Sequence, residues 1–387
     1  MSQFPPVHIV GVGATLPGEP IDNERMESVL GLINGRPSRA RRTILRSNGI
    51  DTRYYAIDPE TGLQTHTNAQ LTADAIRTVA KNAGRELADL DCIVCGTSSP
   101  DQLMPNHALM VHGELAIHPC EVLATSGVCL SGLTALKFAA MNVASGSAKA
   151  AVATGSELSS TVLRASNFPN QEPTDDELAK TPVLQFGQDF LRWMLSDGAG
   201  AVWLEREPKD TGLSLRIEWI ETVSYANELE ACMYWGAEKD DQGTLVGWRQ
   251  AKDLESAVSA GMLNVTQDAR LLGEEISKRT ISDGFAHARE RHPIEADEID
   301  WLLPHYSSEF FAKEVAQRFN EIDFHIPQEK WFTNLKTCGN TGSASIYIML
   351  EELFHSGRLQ AGQKILCFVP ESARFSVGYA LLTVVGK

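Results

Sequence analysis

An α/β fold made of two similar halves is what this sequence predicts, on three observations. Apolar, strand-like runs alternate with amphipathic helical segments, the pattern of a parallel or mixed sheet covered by helices. Two distant stretches repeat one plan. Cys129 and Asn340 each lead a small-residue helix start, a glycine-containing spacer and a strand, the first ending at Gly155-Ser156-Glu157 and the second running through ILCFVPES. Finally, three turns between strand and helix each carry one reactive or polar group: SGVCLSG with Cys129, LLPHYSSEF with His305 and CGNTGSAS with Asn340.

The elements follow in order. VHIVGVGATLP (7–17) is an apolar strand entering a turn; its G-x-G lacks a third glycine and a following helix start, so it fits a dinucleotide fingerprint poorly. Leu71, Ala75, Ile76, Val79, Ala80 and Ala83 recur at helical spacing. CIVCGTSS is a short strand whose Cys92 and Cys95 have no second pair for zinc and read as structural. A helix near 106–117, a strand 120–125, a helix 130–146 and a strand 149–155 complete the first rhythm. The polar, proline-containing segment 158–195 interrupts it as an insertion or lid, and SDGAGAVWLE resumes a strand. Residues 206–262 read as long edge strands and a cap. Then come a long helical stretch near 265–290, the strand IDWLLP, helices 307–319 and 341–356, a strand 364–369 and a last strand, GYALLTVV. The expected division is an N-terminal half, 1–205, carrying Cys129, and a C-terminal half, 206–387, carrying His305 and Asn340.

Composition narrows the function classes. The 387 residues are 43% hydrophobic and 22% charged, as in a globular protein, and no apolar run is long enough to span a bilayer. The N-terminus has no basic segment ahead of its apolar stretch, unlike a signal peptide. Seven scattered cysteines, an odd number, suit reduced thiols in a cytoplasm better than a disulfide framework. The net charge of −16 disfavours nucleic acid as a partner. One region breaks the acidic pattern: Arg36, Arg39, Arg41, Arg42 and Arg46 lie within residues 35–46. They form either a solvated helix face or a landing site for the phosphates of coenzyme A or phosphopantetheine, which guanidinium groups bind bidentately.

Taken singly, each of the three turns has an ordinary explanation: a packed thiol, a satisfied core histidine, a helix cap. Their recurrence at matching junctions of a duplicated pattern points instead to a site. A helix N-terminus beside Cys129 would lower its pKa and favour the thiolate, His305 would complete its activation, and flanking small residues would leave room for a substrate. Cys, His and Asn in this chain order also describe papain-like proteases, but SGVCLSG lacks their C-G-[SA]-C-[WY] context. His107, His112 and His118 are too widely spaced for an i, i+4 zinc pair.

The Cys129 turn, ATGSE, SDGAGAVWLE, LLPHYSSEF and CGNTGSASIYIMLEEL, in this order over nearly the whole chain, resemble a β-ketoacyl-acyl-carrier-protein synthase III type condensing enzyme of the thiolase superfamily. The resemblance implies a thiolase-like fold of two βαβαβαββ-type halves in α-β-α-β-α layers, and a Cys129-His305-Asn340 triad. It implies an acyltransferase in fatty-acid or polyketide-like biosynthesis: Cys129 takes an acyl group from a thioester, and His305 and Asn340 stabilise the enolate of a malonyl- or β-ketoacyl-thioester that attacks it. The oxyanion hole falls on the backbone N–H groups of Cys129 and, from the family's glycine-rich loop, a residue at or near Ala373. Ser308 and Phe310 stand where the family has an asparagine and a carrier-docking arginine, and Met104 where it sends an apolar residue across a dimer interface. Arg36, Arg42 and Arg46 are further candidates for substrate binding. The expected partners are acyl thioesters on coenzyme A or acyl carrier protein and a second copy of the chain in a cytoplasmic homodimer, with no metal, redox cofactor, membrane or nucleic acid. SNGIDTRYYAID and SSPDQLMPNHALMVHGEL are similar to enzymes that join two β-ketoacyl units into cyclohexanediones or dialkylresorcinols. Acyl transfer to oxygen or nitrogen, and a non-catalytic subunit of a heterodimer, are the competing expectations.

Overall fold

The structure, a computed structural model, describes residues 5–38, 40–168 and 190–386. Arg39 and residues 169–189 of the proposed insertion lie outside the described residues. Nine strands form one sheet: β1 (Val7–Thr15), β2 (Cys92–Thr97), β3 (Glu121–Ser126), β4 (Ala150–Glu157), β5 (Gly198–Glu205), β6 (Leu213–Ser224), β7 (Trp301–Pro304), β8 (Lys364–Glu371) and β9 (Ser376–Gly386). Their order is β7-β8-β9-β6-β1-β5-β4-β2-β3.

That order contains a repeat. Outward from the centre, β1-β5-β4-β2 pair antiparallel, antiparallel, parallel, and β6-β9-β8-β7 pair in the same sequence. β3 extends the first set by one parallel strand. The two sets meet where β1 and β6 pair antiparallel over Val7–Ile217, His8–Arg216 and Ile9–Leu215. So the strand 213–224, expected at an edge, lies inside the sheet. Its polar face, with Arg216 paired to Glu218 and Glu221 to Arg291, gives it the sequence pattern of an edge.

The principal helices are α1 (Arg41–Asn48), α2 (Asn68–Ala83), α3 (His107–Leu115), α4 (Leu130–Ser145), α5 (Ala269–Ser277), α6 (Gly284–Arg291), α7 (Ala312–Glu321) and α8 (Ser345–His355). The predicted stripe on α2 is buried, and the helix begins earlier because Thr67 and Gln70 close a reciprocal capping box. The stretch 265–290 is not one regular helix: a π-turn, Lys278–Asp283, joins α5 to α6.

Three apolar cores give the layering. One packs α2 and α3 on the outer face of the first set of strands, through Ile76, Val79, Val111, Ile93 and Val152. A second packs α6 and α7 on the outer face of the other set, through Phe285, Val315, Phe319, Leu366 and Phe368. Between the sets lie α4 and α8, their Leu133, Leu136, Tyr347 and Leu350 enclosed with residues from both. The arrangement is α-β-α-β-α. Burial of each large aliphatic side chain contributes about 1.5–3 kcal/mol, so this central layer fixes how α4 and α8 face each other.

Candidate active site

The starts of α4 and α8 are pressed together. A Cβ on Gly132 would lie 2.3 Å from the Ser343 carbonyl oxygen, and one on Gly155 only 2.1 Å from it. The Tyr347 hydroxyl donates to the Gly132 carbonyl at 2.8 Å. Gly132, among the small residues near Cys129 expected to leave room for substrate, instead admits the backbone of the opposite half, as does Gly155. The approach sets Asn340, three residues before Ser343, near Cys129, three residues before Gly132.

Cys129 sits in helical conformation immediately before α4 and makes no capping bond. Its chain neighbours are capped by another residue: the Val128 and Leu130 N–H groups donate to Glu371 Oε2, at 3.0 and 3.3 Å. Glu371 ends β8, so the contact crosses from one half to the other. The expected lowering of the Cys129 pKa is overturned. Burial, then the carboxylates of Glu371 and Glu157, push the thiol well above its ordinary range. The positive end of the helix is already occupied by a carboxylate, and the resting residue is a thiol.

His305 follows β7, held by its N–H donating to the Phe368 carbonyl at 2.8 Å. It is enclosed, and burial pulls its pKa down to about 4, so the ring is neutral at physiological pH. Asn340 is fixed on three sides. Its N–H donates to the Met194 carbonyl, its carbonyl accepts from Ser196 N, and its Oδ1 accepts from Gly342 N, all at 2.9 Å. That orientation spends the amide oxygen and leaves the Nδ2 hydrogens to donate.

Cys129 and His305 line one cleft of about 50 Å³, with Leu272, Ile276, Phe311 and Val315 as its apolar wall. The space holds a few waters and no acyl chain. An acyl chain entering here has to displace those side chains. Asn340 is not among the residues lining the cleft; it lies at the start of the turn into α8. Among the described residues, no cluster of three or more His, Cys, Asp or Glu could hold a metal ion, and no helix is long and apolar enough to cross a membrane.

The remaining expected site residues divide. Ser308 is fully enclosed and caps the turn Glu309–Phe311 by accepting from Phe310 N; Ser307, not Ser308, lines the cleft. Phe310 is exposed, and so is Met104, at 85%. Ala373 has its carbonyl held by Cys232 N and Met233 N, and the left-handed residue of its loop is Phe375 (φ 58°), not Ala373. Arg36, Arg42 and Arg46 are exposed. Arg41 is tied down by Glu24 and Glu27 and lies over Trp193.

Two carboxylates escaped the sequence reading. Glu157 ends β4, the strand equivalent to β8, and is fully buried. Its Oε1 accepts from Ser98 N (3.1 Å) and Ser343 N (3.3 Å), and its Oε2 from the Ser98 and Ser99 hydroxyls (both 2.7 Å). Glu157 thus caps the start of α8 as Glu371 caps the start of α4. The signal for both was the internal echo: superposing its two strands puts Glu157 on Glu371.

Comparison with known proteins agrees with this fold. Residues 290–383 match the model of the 3-oxoacyl-[acyl-carrier-protein] synthase III C-terminal domain, and residues 52–184 that of the thiolase N-terminal domain. The chain is similar to the β-ketoacyl synthase III-type condensing enzymes of the thiolase superfamily. Among curated relatives, β-ketoacyl-[acyl-carrier-protein] synthase III of Xanthomonas oryzae pv. oryzae is 26% identical over 97% of both chains. The synthase III of Clostridium perfringens is 25% identical over 92% of this chain and 93% of its own. Solved structures share the fold: OleA of Xanthomonas campestris (TM-score 0.75, 19% identity, 98% of both chains) and the tetronic acid condensing enzyme AbyA1 (0.74, 19%, 97% of this chain and 99% of its own).

Proposed function

We propose that the chain is an acyltransferase that forms a carbon–carbon bond by Claisen condensation, with Cys129 carrying the acyl group as a thioester. The observation that carries this reading is the shared cleft of Cys129 and His305 at the junction where the two halves meet. Cys129 attacks the carbonyl of an acyl thioester, its proton passing to a nearby base, and the thiol of the carrier leaves. A second thioester then enters as the carbanion. One N–H of neutral His305 and the Nδ2 of Asn340 donate to its carbonyl oxygen as negative charge gathers there. Preorganised donors of this kind, one oxyanion contact each, are worth about 10²–10³ in rate. The Cys129 N–H, between the two that Glu371 takes, donates to the oxygen of the acyl-cysteine, with a donor from the loop at Ala373 as its partner.

The substrates in this reading are thioesters of coenzyme A or of a phosphopantetheine carrier, with the exposed Arg42 and Arg46 on α1 facing the phosphates. No resident cofactor or metal enters. The chain works as a cytoplasmic homodimer, the exposed Leu103 and Met104 reaching toward the second copy. Its specialised form joins two β-ketoacyl units. Intact-protein mass spectrometry after incubation with a panel of acyl-coenzyme A thioesters tests the reading. The expected result is an acyl adduct that is absent from Cys129→Ala; an adduct that persists in that variant contradicts it.

A further inference from the structure

The two halves of the fold contain their own control experiment on a carboxylate. Glu157 and Glu371 are the last residues of equivalent eight-residue strands, β4 and β8, and each reaches across to the helix start of the opposite half. Glu157 is saturated: four donors from three serines fill both of its oxygens. Glu371 is not. Both of its bonds fall on Oε2, and Oε1 accepts from no group among the described residues. The chain neighbours of Glu371, Pro370 and Ser372, line the cleft together with Cys129 and His305. Glu371 itself is not among the residues lining the cleft, but its bonds to the N–H groups on either side of Cys129 hold it beside the nucleophile, clamped by one oxygen while the other has no partner among the described residues, as a base requires.

We propose that Glu371 is a catalytic base that removes the α-proton of the acceptor thioester, so that the acceptor is an acyl or β-ketoacyl thioester activated by deprotonation, not a malonyl thioester activated by decarboxylation. The inference rests on the acyl-cysteine reading above. In the step, Glu371 Oε1 takes the proton from the acceptor Cα. The C–H electron pair moves into the Cα–C bond and the carbonyl pair onto oxygen, where His305 and Asn340 hold it. The enolate carbon attacks the acyl carbonyl on Cys129, forming the C–C bond. The tetrahedral oxyanion collapses, the C–S bond breaks, and the departing Cys129 sulfur recovers the proton from the Glu371 carboxylic acid. Thiol and carboxylate are restored, with no outside oxidant, base or proton source. While the oxyanion exists Glu371 is neutral, which removes its repulsion from that charge. A malonyl thioester would bring a further carboxylate into a cleft that Glu314 lines, with no lysine or arginine among the lining residues.

The test uses the full-length chain, octanoyl-coenzyme A as donor, and acetoacetyl-coenzyme A or malonyl-coenzyme A as acceptor. Glu371→Gln is expected to form the octanoyl-Cys129 adduct while losing condensation with acetoacetyl-coenzyme A by roughly 10²-fold or more, the range of general base catalysis. Glu371→Asp is expected to recover part of the loss. The wild type supplies an arm free of variants: acetoacetyl-coenzyme A is expected to condense at least about tenfold faster than malonyl-coenzyme A, a margin of about 1.4 kcal/mol. Condensation by Glu371→Gln at the wild-type rate, or a wild-type preference for malonyl-coenzyme A, overturns the role of Glu371 and leaves the acyl-enzyme intact. A wild type that forms no adduct overturns both.

Discussion

Glu157 and Glu371 end equivalent strands and cap opposite helices, yet only one of them is fully hydrogen-bonded. The difference lies in what surrounds each strand end. Beside Glu157, Ser98, Ser99 and the turn into α8 converge from three segments and close around the carboxylate. Around Glu371, among the described residues, only the backbone of the α4 start donates to the carboxylate. The surroundings saturate one of two equivalent carboxylates and leave the other with an unpartnered oxygen among the described residues.

The comparison breaks first on stability. Glu157→Ala strands two backbone N–H groups and two hydroxyls in a buried site and is expected to cost about 3–5 kcal/mol in urea unfolding. Glu371→Ala removes a partly exposed helix cap and is expected to cost about 1 kcal/mol. Equal losses would mean that Glu371 is an anchor too.

A second test concerns the histidine of the site. Buried His305 stays neutral down to about pH 4, whereas in the unfolded chain it protonates near 6.5. Between those values the unfolded state binds more protons, so this group's contribution is complete above pH 6.5 and is lost as the pH falls toward 4. The expected loss is about 3 kcal/mol, read as the change in the stability difference between wild type and His305→Asn from pH 7 to pH 4. A constant difference would show that His305 is open to water. Asp197, whose carboxyl burial lifts to about 6, acts in the opposite direction and is common to both chains, so the difference cancels it.

The smallest effect concerns the arginines. Arg42→Ala with Arg46→Ala is expected to raise KM for coenzyme A thioesters about 3- to 10-fold, less at high salt, with kcat unchanged. No change with a substrate truncated to pantetheine would place the contact on the phosphates.

The strands, most of the helices and the three turns were legible because apolar periodicity and small-residue turns are local signals. Cys129, His305 and Asn340 each stood in such a turn. What escaped was non-local. Glu371 reads as an ordinary charge at a strand end until β8 is placed against the start of α4, 241 residues earlier in the chain. Burial first, and the same contact second, reversed the expected direction of the Cys129 pKa, and neither shows until the fold is in place. The interior place of β6 was hidden because a strand bonded on both edges by backbone alone can carry polar side chains on its faces.

The most direct test of the whole account is a chase on His305→Ala. Loaded with octanoyl-coenzyme A and then given acetoacetyl-coenzyme A, this variant is predicted to keep its Cys129 adduct by intact mass, while product falls roughly 10²- to 10³-fold. Discharge of the adduct into condensed product at the wild-type rate would contradict it.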